Sequence, residues 1–385
     1  MLGDDEGLLN EVIRCLHEDR EENIWIGTDY GLYRLSRNRL IPLQRLGVVR
    51  VVQADDSGVW VGTSTGLHRF EGTSQRVYGV RGELPSPFVS ALGLDDNGAL
   101  WIVTDRGIAV HRNGRFERVP FTGIESLNRV YSMAIDSGGG LLLADFNRGL
   151  FRAIHGTVVP MDVPPLDHRA VLSVHPDGEG RFWVSLSDGR IGYIERAADD
   201  RFSFTVPSGL PAGAVRLFSV LQEKPGDLWL VTSRGAWHYE NGRLTVIDER
   251  NGLPSAQASA GAFDRDGAIW LGTSAGVLRI DRSAISHLAD EPQAQITYGY
   301  WDAYDGAAGS PIYLGTPGVA RDAAGRMWFV TANGSPSRIP NGCAAPPRCH
   351  RSSSRPCRSA RSGWTTSPIS SCRRAAHRSR STTRR

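Results

Sequence analysis

Eight times along its first 340 residues this chain repeats one pattern: an acidic residue, a tight turn, a tryptophan opening an apolar strand, then a second turn closed by glycine. The tryptophans stand at Trp25, Trp60, Trp101, Trp183, Trp229, Trp270 and Trp328, Leu142 fills the missing slot, and the steps are 35, 41, 41, 41, 46, 41 and 58 residues. A self-similar period of about 40 residues marks an array of repeated supersecondary units.

The clearest copy runs from Asp264 to Ile280. Asp264 is placed to bond backbone N–H groups two residues on, and Gly267 supplies the positive φ of a tight hairpin. Equivalent pairs are Asp95 with Gly98, Asp136 with Gly139, Asp177 with Gly180, and Asp322 with Gly325, while Glu22 replaces the glycine in the first copy. In Trp270-Leu271-Gly272-Thr273 a large ring and a small residue share one strand face, a pattern that lets stacked sheets interdigitate. A second glycine, such as Gly31, Gly66, Gly276 or Gly334, closes the next hairpin.

Four strands of about 5 residues, three short turns and a connector consume roughly 35 to 45 residues, which leaves no room for a crossover helix. The unit is therefore a four-stranded antiparallel blade. The predicted fold is all-β, a β-propeller of seven or eight such blades, each packing its apolar faces on both neighbours. An open solenoid is the rival. Eight copies are countable, but the last shows three clear strands, and the first is open to assignment to a preceding ring.

The string acidic-x-x-Gly-x-Leu/Ile-Trp-Ile/Leu-Gly-Thr-x-x-Gly-Leu-x-Arg, with Gly252-Leu253-Pro254-Ser255 before the 270 unit and Gly209-Leu210-Pro211 before the 229 unit, resembles the two-component regulator propeller repeat of bacterial ligand-sensing receptors. The resemblance covers about residues 9 to 340. It implies a periplasmic sensor in a parent receptor whose propeller is followed by an immunoglobulin-like domain, one membrane span and a cytoplasmic histidine kinase or diguanylate cyclase output. A homodimer in the parent is compatible with that implication. The chain opens within a repeat preamble, Gly7-Leu8-Leu9-Asn10, without a signal-peptide pattern, and no run of about 18 apolar residues occurs, so it reads as a fragment.

Composition changes abruptly after residue 340. Residues 341–385 hold 11 of the 44 basic residues, none of the acidic ones, and four of the five cysteines, leaving residues 1–340 with 33 basic against 41 acidic side chains, a net −8. The expected organisation is a propeller over 1–340 and a disordered Arg/Ser/Pro-rich tail over 341–385. Lys224 is the single lysine, the mark of a GC-rich coding sequence, and such DNA read out of frame yields Arg, Ser, Pro, Ala and Cys. A basic arm for polyanions and a zinc site are the other readings of the tail, although Cys343, Cys349, Cys357 and Cys372 lack paired zinc spacing. The tail's charge says nothing of nucleic-acid affinity in the folded part, for which none is expected. Cys15 stands alone in the repeats, so no disulfide forms there and the compartment rests on the resemblance.

Gly62-Thr63-Ser64-Thr65-Gly66 and Gly272-Thr273-Ser274-Ala275-Gly276 match G-x-S-x-G, but a nucleophile elbow needs a strand-to-helix turn, whereas these fall in hairpins. The ten histidines, His68, His111 and His238 among them, show no metal spacing, and no metal or cofactor is expected. The recurrent tryptophans are read as core, with each indole N–H bonded nearby. A repeat holds its framework constant and varies its loops. The turns between second and third strands carry Arg106, Asn147, Arg148, Asp188 and Arg234, and arginines on that rim suit a carboxylate or sulfate.

The leading functional reading is a non-catalytic sensor propeller for a polar or anionic small ligand, a saccharide being one such class. A propeller-fold lyase or glycan-active enzyme is one alternative, because antibiotic-lactone lyases resemble this blade pattern. A protein-interaction scaffold is the other.

Overall fold

The computed structural model describes residues 46–331, apart from 73, 80, 137, 155, 165, 167, 168, 198–200, 212, 214, 287, 289, 303, 304 and 306–314, together with the strands Ile13–Glu18, Ile24–Thr28, Leu32–Leu35, Ile41–Pro42 and Ser337–Ile339. The tail at 341–385, Glu22 and the turn glycines Gly31 and Gly334 lie outside the described residues.

Six blades follow one another along the chain: residues 49–78, 89–119, 130–160, 171–205, 217–247 and 258–301, numbered 1 to 6 below. Each is a sheet of four consecutive antiparallel strands. The first strand of each blade contacts the first strand of the next, so these strands line the axis. A composite sheet closes the ring. It is made of Val319–Arg321, Met327–Phe329 and Ser337–Ile339 with Ile41–Pro42 as its outermost strand, and its first strand contacts blades 6 and 1.

The expectation of seven or eight equivalent blades is thereby corrected to six blades of contiguous chain. Among the described residues the first repeat forms a sheet of three strands, Ile13–Glu18, Ile24–Thr28 and Leu32–Leu35, which belongs to a different compact unit from the ring. The segment that would have been its fourth strand, Ile41–Pro42, pairs instead with Ser337–Ile339 of the last repeat. A strand borrowed from the other end of the chain thus covers an edge that the last repeat would leave unpaired.

Between the first and second strands the acidic turn does more than make a hairpin. In blade 6 the Asp264 Oδ1 accepts the N–H of Asp266 and of Ala268, both at 2.9 Å, while Oδ2 accepts Trp270 Nε1 and Arg279 Nε, both at 2.8 Å. Gly267, at φ +77°, completes the turn. The indole donates to the turn carboxylate at 2.8 Å in Trp60–Asp55, 3.1 Å in Trp101–Asp95, 3.1 Å in Trp183–Asp177 and 2.9 Å in Trp328–Asp322. One carboxylate therefore ties the turn, the tryptophan and, in most copies, an arginine into one unit.

Six of the repeat tryptophans are core, as expected: Trp60, Trp183, Trp229, Trp270 and Trp328 are buried, and Trp101 packs half-buried against the cluster between blades 2 and 3, while the side chain of Trp25 lies outside what is described. Small residues beside them set the distance between sheets. A Cβ at Gly62 would lie 2.6 Å from both Val51 and Val89 methyl groups, the latter on the next blade, so a larger residue would force the two sheets apart.

Two outcomes follow from the turn carboxylate. Replacing Asp264 by Ala leaves the Trp270 indole N–H without its acceptor and removes one of three acidic partners of Arg279, which keeps Asp281 and Asp266, and is expected to cost roughly 2 kcal/mol in chemical denaturation. At Asp55, burial alone would raise the carboxyl, but hydrogen bonds from Arg69 and Trp60 outweigh it and hold the pKa at about 2, below the ordinary 3.8. The folded value being the lower, this stabilisation is full above pH 3.8 and is lost as pH falls through about 2. Asp55→Asn should flatten the acid limb of the stability profile, and an unaltered slope would contradict the assignment.

Candidate functional site

The ring has two faces of different construction. One carries the acidic turns. The other, the rim face, carries the turns between second and third strands together with the connectors between blades. At each blade the residue after the second strand donates its backbone N–H to the carbonyl just before the first strand: Ser64 to Val48, Asp105 to Phe88, Phe146 to Arg129, Ser187 to Ala170, Ser233 to Arg216 and Ser274 to Gln257, at 2.9 to 3.3 Å. These main-chain bonds hold the rim turns against the connectors without calling on their side chains.

Arg106, Asn147, Arg148, Asp188 and Arg234 all stand exposed on this face, on four successive blades from 2 to 5. Their surroundings differ. Arg148 is already committed: Nε and Nη2 donate to the fully buried Asp145 carboxylate at 3.0 and 2.6 Å, and Nη2 also reaches the Ser126 carbonyl at 2.7 Å. Asp188 accepts from Arg169 at 2.8 Å and from Arg190 Nε at 3.0 Å, which hold its carboxyl below the usual range, Arg190 contributing most. Asn147 donates its backbone N–H to Asp145 at 3.0 Å. Arg106 and Arg234 make none of these side-chain ion pairs, and Arg234 is fixed through its backbone, with N–H to Thr232 Oγ1 at 3.1 Å. The five residues therefore separate into a structural pair with its turn mate, an internally neutralised acid, and two arginines open to solvent.

Both G-x-S-x-G segments are strand-to-strand turns, and Ser274 Oγ lies 2.8 Å from Ser255 Oγ. His238 is paired with Asp227 at 2.7 Å and stacked on Trp229 at 4.4 Å, the local substitute for the indole–carboxylate bond in blade 5. It borders a recess of about 310 Å³ that also holds Lys224 and Arg282.

On the acidic-turn face the axis opens into a cavity of about 760 Å³, which spacing of repeats does not reveal. Gln53, Asp96, His175, Ser219 and Arg321 are among its lining residues, and Thr316 and Pro317 lie at its inner end. Residues 315–318, at the start of the closing sheet, bridge the channel: Val52 N–H donates to Pro317 O at 2.9 Å, and Thr316 N–H to Tyr131 O at 3.0 Å. Thr316 Oγ1 also donates to Ser132 Oγ at 2.9 Å. Burial pushes the His175 imidazole down to about 4, so it is neutral at physiological pH.

A closed ring of twisted four-stranded sheets, with apolar sheet-to-sheet cores and variable rim turns, defines the class: this is a β-propeller. Residues 7–30 match the family described as two component regulator propeller. No curated protein matches the sequence. Among solved structures, the extracellular domain of the hybrid two component system BT3049 from B. thetaiotaomicron is similar at a TM-score of 0.63 and 21% identity, over 86% of this chain and 45% of that one. The chain thus spans about half the length of that relative. Virginiamycin B lyase from Staphylococcus aureus, solved with quinupristin, aligns at a TM-score of 0.59 and 11% identity over 78% of this chain and 97% of the lyase. The WD40 propeller of Doa1 aligns at 0.55 and 14% identity, over 78% of this chain and 95% of that one. At these identities the likenesses speak to fold. No helix among the described residues is long and apolar enough to cross a membrane.

The rim geometry separates structure from surface experimentally. Arg148→Ala strips a fully buried carboxylate of its cation and should lower stability by roughly 3 kcal/mol. Arg106→Ala and Arg234→Ala should each stay within about 0.5 kcal/mol of the parent in thermal or urea unfolding. Equal losses at all three positions would refute the division.

Proposed function

We propose that this propeller is the ligand-binding sensor domain of a bacterial two-component receptor, and that it performs no chemistry itself. The observation that carries the reading is the two component regulator propeller repeat in a ring whose rim turns vary in charge while its framework repeats. The likeness to an extracellular domain of a hybrid two component system supports the same reading. In such a parent the propeller lies outside the cytoplasm, and kinase or cyclase output domains lie inside.

The ligand in this reading is a polar or anionic small molecule, an acidic saccharide being one such class. Arg106 and Arg234 are the rim residues placed to meet it, with Asn147 between them in chain order and the charge of Asp188 neutralised by Arg169 and Arg190. Arg148 supports the site by holding its turn. Ligand binding alters signalling only through the difference in its affinity for the two receptor states, so a rigid ring is suited to present one surface and exchange neighbours. The parent's homodimer interface is one place for that exchange.

The similarity to virginiamycin B lyase supports a second reading, a propeller lyase. The two readings separate on one purified sample. A sensor raises its melting temperature with its ligand and leaves that ligand intact, whereas a lyase given quinupristin yields product detectable by mass spectrometry. The sensor reading predicts that Arg106→Ala/Arg234→Ala reduces ligand-induced stabilisation by the most responsive acidic saccharide at least tenfold in concentration dependence. Turnover of quinupristin, or full response in the double variant, would remove the sensor assignment or its rim site respectively.

A further inference from the structure

In each blade the first strand carries a bulge at the same place. Pairing jumps from Val49 to Val51, from Val89 to Ala91, from Val130 to Ser132, from Val171 to Ser173, from Leu217 to Ser219 and from Ala258 to Ala260, leaving one extra residue per blade near the rim face. Bulges redirect a side chain out of the regular pleat and recur beside functional sites. The extra residues are Arg50, Ser90, Tyr131, Leu172, Phe218 and Ser259, so blade 1 alone places a charge there.

Arg50 is only 8% exposed. Its guanidinium carbon lies 4.3 Å from the centroid of Phe88, just before blade 2, and 5.5 Å from that of Tyr131, the bulge residue of blade 3. The side chain therefore reaches from blade 1 past blade 2 to blade 3. The channel-bridging segment runs alongside: a Cβ at Gly315 would fall 2.9 Å from the Arg50 carbonyl and 2.6 Å from that of Ser90.

What sets Arg50 apart is the missing acid. The other buried arginines are neutralised, Arg69 by Asp55 at 2.7 Å and Arg152 by Asp136 at 2.8 Å. Among the described residues Arg50 has no carboxylate in ion-pair range, and its buried Nε has no hydrogen-bond partner. Burial pushes its pKa below the ordinary value, with Tyr131 acting in the opposite direction. A guanidinium taken out of water without a counter-charge is penalised by more than stacking on an aromatic ring recovers. Such a cation is an incomplete pair whose natural complement is a planar or tetrahedral oxyanion.

We infer that Arg50, with Tyr131 beside it and Phe88 under its plane, is an anion subsite on the rim side of the bridged channel, and that it takes the carboxylate or sulfate of a small ligand. This deepens the sensor reading, on which its biological meaning rests, and it names the group that would recognise the acid where the rim arginines are peripheral. Phe88 adds an apolar surface against which a sugar or alkyl face can lie.

The test is a titration of the full chain, followed through the Arg50 Nε–Hε resonance, identified by its loss in Arg50→Lys. Glucuronate and glucose 6-sulfate are the oxyanion probes, and glucose is the neutral control. The resonance should move with one or both oxyanions and not with glucose, and the stronger probe tells carboxylate from sulfate. Arg50→Gln should weaken binding at least tenfold, about 1.4 kcal/mol. Without ligand, Arg50→Met should keep or raise the melting temperature, because it deletes an uncompensated charge. If Arg50→Met does not fold, the resonance titration of the unaltered chain still decides. A resonance indifferent to both anions, or undiminished binding in Arg50→Gln, overturns the subsite. Anion binding that persists while a receptor bearing this propeller gives no output would instead remove the sensor reading and leave the subsite standing.

Discussion

The bond between a turn carboxylate and the tryptophan indole is the interaction on which the rest of this structure depends. Each blade must solve two problems at one corner. Its first hairpin must turn tightly, which leaves backbone N–H groups without strand partners, and its largest core residue must be buried without stranding an indole N–H. A single aspartate answers both, because one oxygen accepts the turn N–H groups and the other accepts the indole. In Asp55, Asp264 and Asp322 an arginine completes the set, donating at 2.8, 2.8 and 2.6 Å. The carboxylate is then neutralised, its hydrogen bonds are filled, and the tryptophan is held in one orientation against the next sheet.

Where one element of this device is lost, another takes its role. Blade 3 has Leu142 in the tryptophan slot, and Asp136 is bound by Arg152 at 2.8 Å, with Arg196 of the next blade at 3.8 Å. Blade 5 moves its acid to the strand itself, and Asp227 holds His238, which stacks on Trp229. Between blades, serines near the axis add a second set of ties: Ser132 Oγ to Val174 O at 3.0 Å, Ser173 Oγ to Leu217 O at 2.8 Å, and Gly261 N–H to Ser219 Oγ at 3.2 Å.

The blade was legible in the sequence because its determinants are local: Asp264, Gly267, Trp270 and Gly276 all lie within one unit and repeat. The number of blades was not, because it depends on where Ile41–Pro42 pairs. That strand is two residues long, leaves no periodic trace, and joins a partner nearly 300 residues away at Ser337–Ile339. The rim position of Arg106 and Arg234 followed from the repeat phase, but the commitment of Arg148 to Asp145 did not. Asp145 occupies a second-strand site that other blades fill with threonine, such as Thr104 and Thr232, whose hydroxyls bond the turn glycine carbonyl at 2.7 and 2.9 Å. Arg50 did leave a signal, a charge inside the apolar run Val49-Arg50-Val51-Val52. Its meaning needed the bulge and the absence of a nearby acid, which are properties of the assembled ring.

The two faces of the ring differ in how much freedom their side chains retain, and this decides where recognition can develop. On the acidic-turn face the carboxylates are consumed by indoles, arginines and turn N–H groups, so recruiting one for a ligand would loosen the corner of a blade. On the rim face every blade has a fastening made between backbone atoms, from Ser64 to Val48 around to Ser274 to Gln257, to which threonine hydroxyls such as those of Thr104 and Thr232 and the Arg148–Asp145 pair are added. Apart from Arg148, the rim turn tips make few ties to the framework and carry Arg, Asn, Asp or Ser in different copies, whereas five of the six blades keep an aspartate in the acidic turn and blade 5 places its acid, Asp227, on the strand. The 315–318 segment sharpens the division by bridging the channel between the faces, and in the proposed subsite Arg50, Tyr131 and Phe88 would be the groups that a ligand meets from the rim side.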